Sequence, residues 1–177
     1  MKIVKRILSG LLILLILAAI AGFAFVRHLG RRALPDYNHD LPLKGLHAPV
    51  EVYRDNYAIP HIYADDEHDL YMAVGYIMAE DRLWQMDMLR HVTEGRLSEI
   101  LGKSFVDTDL LLRALRFQEK SEKILAQTEP STREALDAFA EGVNQYMENN
   151  MRTLPPEFGI LRYKPEKWEP CHSLNMV

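Results

Sequence analysis

The chain has 177 residues, 48% hydrophobic and 26% charged, enough to bury one domain-sized core and too apolar for a disordered protein. Its net charge of -4, with the signs mixed along the chain, gives no polyanion-binding signature, and no basic block or basic–aromatic stripe points to nucleic acid. Cys171 is the single cysteine, so neither an intrachain disulfide nor a thiolate metal cluster can form; beside Trp168 and Pro170 it reads as a small core residue.

In chain order, Lys2, Lys5 and Arg6 precede Ile7 to Val26, an uncharged run that would span a hydrocarbon layer about 30 Å thick as a helix. Residues 1–26 are therefore expected to be a membrane anchor or a signal segment. Ala19-Ile20-Ala21 fits a signal cleavage pattern, but the run exceeds the roughly 7–15 apolar residues usual in a signal, which favours an uncleaved anchor. Three basic residues on each side leave the orientation open under the positive-inside rule. Residues 27–48 read as a polar, Gly- and Pro-punctuated connector to a globular region over 49–177.

Val50 and Val52 alternate with Glu51 and Tyr53 as one strand would, and His61-Ile62-Tyr63 makes a second, with Pro60 at its start. Asp55-Asn56 favours a turn between them. Asp66 is a good N-cap for a long helix, with Glu67 and Asp69 in its first turn. Leu70, Val74, Ile77, Trp84 and Met88 form an apolar stripe on that helix. Asp81 fills the missing place in the stripe and is expected on the buried face, with Arg82 one step around; each then requires a partner elsewhere. A short helix stopping at Gly102 is expected next, then one helix over Asp107–Gln127. Ser131 and Glu134 read as a capping box opening a helix that buries Leu136, Phe139, Ala140, Val143 and Met147. A Pro-rich connector follows, and Cys171–Val177 read as the first turns of an apolar helix without a C-terminal cap. The sequence is accordingly expected to be one piece of something larger.

Chemistry-bearing patterns are sparse. No His pair has the i, i+4 metal spacing of a zincin helix, and His61 and His68 lie seven apart across an element boundary. Ser98, Ser104 and Ser173 have no neighbouring base, and there is no G-x-S-x-G elbow or phosphate-cradling loop. The carboxylates of "ADDEHD" are explained by a capped helix start before any cation is invoked. Asp81 and Arg82 read as members of a structural network, and no catalytic, cofactor-binding or metal-ligating residue is assigned.

From Pro49 onward the chain nevertheless resembles the penicillin acylase family of N-terminal nucleophile amidases. The matching features are Arg54-Asp55, Ile59-Pro60-His61-Ile62, Gly75-Tyr76, Ala79 with Asp81-Arg82, Gln85-Met86, Gly95-Arg96-Leu97 through Glu99 to Leu101-Gly102, and the later "YKPEKWEP". Two departures stand out: Ala58 where the family has glycine, and Cys171-His172 where it commonly has an aspartate.

With the N-terminal transmembrane helix read from residues 7–26, the resemblance implies an α+β fold: a short β-hairpin, then the mostly helical α-chain portion of an αββα enzyme. It implies a precursor that cuts itself into α and β chains. The nucleophile would be a serine at the new N-terminus of the β chain, with its own α-amine as base. Hydrolysis of a linear amide is expected, the substrate being a β-lactam side chain, an acyl-homoserine lactone or a related acyl amide. A Ca2+ ion is expected in the full enzyme, with its ligands and the acyl pocket beyond Val177. The expected partners are the β chain and the membrane through residues 7–26, on the periplasmic side, and these residues alone are expected to be inactive. The alternative is a membrane-anchored helical binding module without catalysis.

Overall fold

A computed structural model of the protein describes residues 2–32, 37, 40–41 and 43–175. Two compact units result, residues 1–36 and 37–177. The first contains helix α1, Lys2–Arg32, whose stretch Lys5–His28 is long and apolar enough to cross a membrane. The same length and composition also fit a signal sequence. Of the C-terminal residues expected to start an apolar helix, Met176 and Val177 lie outside the described residues, while Pro170–Leu174 are helical.

The second unit opens with strands β1, Glu51–Arg54, and β2, Pro60–Tyr63, paired antiparallel in the register Glu51 to Tyr63 and Arg54 to Pro60. Pro60 stands first in its strand, where its missing N–H costs least. The Asp55 side chain closes the turn by accepting the N–H groups of Tyr57 and Ile59 at 2.8 and 2.9 Å. Ala58 takes the left-handed conformation (φ 60) that glycine would occupy freely, a backbone cost of about 1–2 kcal/mol.

Helix α2, Glu67–Glu94, starts at Asp66, whose carboxylate accepts the Asp69 N–H, and ends at Gly95 in the left-handed conformation. Helices α3 (Leu97–Leu101), α4 (Val106–Ala114), α5 (Phe117–Gln127), α6 (Pro130–Asn149), α7 (Pro156–Leu161) and α8 (Pro170–Leu174) follow. A single 3-10 turn, Lys103–Phe105, joins α3 to α4, and Gly102 stops α3 as expected.

Three readings of the helices require correction. The expected single helix over Asp107–Gln127 is two, broken at Arg116 (φ 59), because α4 packs on α2 and α3 whereas α5 packs on α8. The Ser131 capping box does not form. Pro130 presets the helical φ and starts α6 one residue before Ser131, with Glu129 as an N-cap that makes no side-chain hydrogen bond. Asp81, expected on the buried face of α2, is at the surface. The buried face runs Met72, Tyr76, Ala79, Leu83, Met86 and Arg90, while Leu70, Val74, Trp84 and Met88 are only half-buried.

That face is selected by α6. Gly75 and Gly142 let the two backbones touch: a Cβ on Gly142 would lie 2.0 Å from the Met72 carbonyl oxygen, and one on Gly75 would lie 2.1 Å from that of Phe139. Around this crossing Tyr76 meets Tyr146 edge to face at 5.4 Å, and Ala79, Leu83, Val143 and Met147 fill the core. Since backbone cannot retreat as a flexible side chain would, Gly142→Ala is expected to cost about 3 kcal/mol in urea unfolding. Gly159→Ala, in helix α7 with open space around the added carbon, is expected to be neutral or mildly stabilising.

Candidate functional site

The sequence features that carry the family resemblance converge on two polar networks along α2. The first pins the hairpin to the helix. Arg54, at the end of β1, donates from both terminal nitrogens to Asp81 (2.9 and 3.0 Å), and also to Glu80 Oε2 at 3.0 Å and the Ala58 carbonyl at 3.1 Å. The last bond gives the left-handed turn a purpose, since it aims that carbonyl at the guanidinium. The Tyr37 ring lies 3.8 Å from the Arg54 guanidinium carbon, and its hydroxyl donates to Asp81 Oδ1 at 3.1 Å. Burial, with the Asp81 charge beside it, pushes the Tyr37 phenol above its ordinary pKa. Arg82 is exposed, bonded weakly to Gln85, and holds the non-helical conformation (φ -144, ψ 20) that kinks α2 just after the two clamped carboxylates. The partner required by Asp81 is therefore Arg54, and Arg82 belongs to neither network.

The second network is buried. Arg90, 1% exposed, donates to Asp87 Oδ1 at 2.6 Å and to Glu166 Oε2 at 2.7 Å. Tyr163 donates its hydroxyl to the other Asp87 oxygen at 2.8 Å, and burial and this carboxylate push its pKa far up. Arg96 gathers Glu94, Glu99 and Glu166. Two residues on, Trp168 donates its backbone N–H to Asn144 and accepts from the Asn144 amide, at 2.7 and 2.9 Å. The "YKPEKWEP" segment is thus a strap that fastens α2 to α6. His172, at one of the two departures from the family pattern, accepts the Glu169 N–H on Nδ1, completing a capping box for α8. Its other nitrogen then carries the proton and faces Glu94 at 3.4 Å, and burial lowers its pKa.

The groups of the two networks are engaged with one another. Ser173 Oγ accepts the Trp168 indole N–H, and burial beside Glu169 pushes the Cys171 thiol up, keeping it protonated. The carboxylates of Glu80, Asp81 and Asp87 are occupied by guanidinium and phenol donors. His61 faces Asp55 at 3.6 Å, and His68 bonds Asp69 at 3.0 Å. Two groups of described residues, His47-Asp66-His68-Asp69 and Glu169-Cys171-His172, bring metal-ligating atoms together. Both include nitrogen or sulfur donors, so neither supplies the six to eight oxygens that calcium takes.

A sequence model of the penicillin amidase family matches residues 49–177, which is most of the chain. The chain belongs to the penicillin amidase family. It is 39% identical over 145 residues to the penicillin acylase 2 proenzyme of Pseudomonas sp. (strain SE83), covering 82% of this chain and 19% of that protein. It is 35% identical to the penicillin G acylase of Escherichia coli over 68% of this chain and 15% of that one. The acyl-homoserine lactone acylase QuiP of Pseudomonas fluorescens (strain Pf0-1) is also 35% identical, over 79% of this chain and 17% of the relative. The chain therefore spans less than a fifth of the length of these penicillin amidase relatives. Among solved structures it resembles the thermostable penicillin G acylase from Alcaligenes faecalis with a TM-score of 0.67 and 31% identity, over 72% of this chain and 69% of that one.

Arg90→Ala leaves Asp87 as a buried charge without its guanidinium and is expected to cost about 3–5 kcal/mol in urea unfolding. Arg82→Ala should change stability by less than about 0.5 kcal/mol. Arg96 and Arg90 hold Glu166 at a pKa of about 2. Burial alone would raise Asp69, but the backbone N–H groups of His47 and Ala48 and the His68 ring bring it down to about 2. Both groups titrate near 4 when unfolded, so their contribution is complete above about pH 5 and is lost as pH falls toward 2. Urea midpoints are expected to drop over that window, and Glu166→Gln to remove part of the slope.

Proposed function

We propose that these residues form the N-terminal, scaffold-forming part of a penicillin-amidase-type hydrolase that cleaves a linear acyl amide into a carboxylic acid and an amine. The observation that carries this reading is the pair of networks. The motifs shared with the family, from Arg54 to Trp168, are used in fastening hairpin, α2 and α6 together, and their carboxylates are already engaged by arginines. A chain so used is a support for chemistry performed elsewhere in the protein.

In this proposal the nucleophile is a serine at the N-terminus of a β chain released from the same precursor. Its α-amine, with a pKa near 8, takes the hydroxyl proton as the oxygen attacks the amide carbonyl. Backbone or side-chain donors stabilise the resulting oxyanion. The hairpin would extend the larger sheets of an αββα enzyme. The names of the relatives, penicillin acylases and acyl-homoserine lactone acylases, support an acyl-amide substrate. A calcium ion in the full-length enzyme would be held by residues beyond Val177. Helix α1 would hold the enzyme at the membrane on the periplasmic side, supported by the length of its apolar stretch.

The test uses the full-length protein with chromogenic phenylacetyl and long-chain acyl amides. Turnover is expected, and abolition of it when the serine at the mature β-chain N-terminus is replaced by alanine. Residues 1–177 expressed alone should show no turnover above background; activity there would place the nucleophile in this chain and overturn the proposal. Intact-mass measurement of membrane-extracted protein checks the anchor, because a mature N-terminus at Gly22 would make α1 a cleaved signal.

A further inference from the structure

The start of α2 and the segment before it bring together four side chains that lie outside the Arg54 and Arg90 networks. His47 lies in the segment leading to β1, while Asp66, His68 and Asp69 belong to the cap and first turn of α2. His47 Nδ1 stands 2.8 Å from Asp66 Oδ2 and 3.9 Å from Asp69 Oδ1, and His68 Nδ1 stands 3.0 Å from the same Asp69 oxygen. One donor atom from each of the four residues lies within 4.8 Å of all the others. The two imidazoles, 21 residues apart in sequence, stack with centroids 4.6 Å apart and planes 19° from parallel.

We propose that His47, Asp66, His68 and Asp69 bind a borderline divalent transition-metal ion, with Zn2+ as the fitting example. Ligand atoms at ordinary Zn–N and Zn–O distances stand about 3.3 Å apart around a tetrahedral ion, and the measured separations scatter on both sides of that value. Two carboxylates and two neutral imidazoles match the charge of a dication and its preference for mixed nitrogen and oxygen donors. The carboxylates are also oriented in advance. Asp66 Oδ1 accepts the Asp69 N–H, and the Asp69 oxygens accept the N–H groups of His47 and Ala48 at 2.9–3.0 Å. These bonds fix the carboxylates as outer-shell partners do in metal sites, and each carboxylate retains lone pairs. Each ring needs only to carry its proton on Nε2 to present Nδ1 to the ion. Metal binding would then staple the segment before the hairpin to the start of α2.

Zinc chloride titrated into the intact protein by calorimetry should show one bound equivalent and a rise in Tm. Cobalt(II) should give the visible absorption of a tetrahedral site. His47→Ala and His68→Ala should each weaken zinc binding by at least about tenfold, the scale on which even outer-shell groups act. His61→Ala, on the hairpin, should leave it unchanged. The His47 side chain is 63% exposed, so its replacement tests the site without disturbing the core. Absence of zinc binding overturns the proposal. So does binding that His47→Ala leaves intact, or a Tm shift produced by calcium and not by zinc.

Discussion

Everything in the globular unit is arranged around the contact of two backbones. Where α2 crosses α6, the chain gives up side chains at Gly75 and Gly142 so that peptide groups can approach within touching distance. This sets which face of each helix is inside. It places Tyr76 against Tyr146, and it leaves Asp81 outside and Arg90 inside. A crossing without these glycines would hold the helices at the usual 8–10 Å separation, and the strap, which bonds Asp87 and Arg90 on α2 and Asn144 on α6, would have to span a wider gap.

Arginines do the remaining fastening, in different dielectric settings. Arg54 works near the surface, where its value lies in geometry: a planar fork on Asp81, a second carboxylate at Glu80 and a carbonyl from a left-handed residue. Arg90 works inside, where its removal would expose the cost of an isolated Asp87 carboxylate. The kink at Arg82 separates the two settings along one helix. The charged triplet Glu80-Asp81-Arg82 thus marks a boundary between two packing environments.

Local chemistry was the most legible part of the sequence. The hairpin with Pro60 leading its second strand, the Asp66 cap, the Gly102 stop and the buried Cys171 all follow from single-residue physics. The misreadings share a cause, since each depended on what lies across the fold. An apolar stripe through Leu70 and Met88 is as regular as the true face through Met72 and Leu83, and only the glycine contact with α6 distinguishes them. Ser131 and Glu134 have the spacing of a capping box, but Pro130 had already begun the helix. The strap was visible as a family landmark, whereas its hydrogen bonds to Asp87, Arg90 and Asn144 were not. His47 carried no signal at all, because its neighbours lie 19 to 22 residues away on a different element.

The strap also imposes an order on synthesis. Arg90 leaves the ribosome 76 residues before Glu166, and at bacterial and eukaryotic elongation rates that interval is roughly 4–15 s. Helix formation takes microseconds, so α2 can coil long before its arginine has a carboxylate from the strap or Asn144 has Trp168 to bind. During that interval the nascent chain carries a helix whose interior guanidinium must remain hydrated. Trp168, which shares one buried core with Leu83 and Met86, is the last residue of that core to emerge.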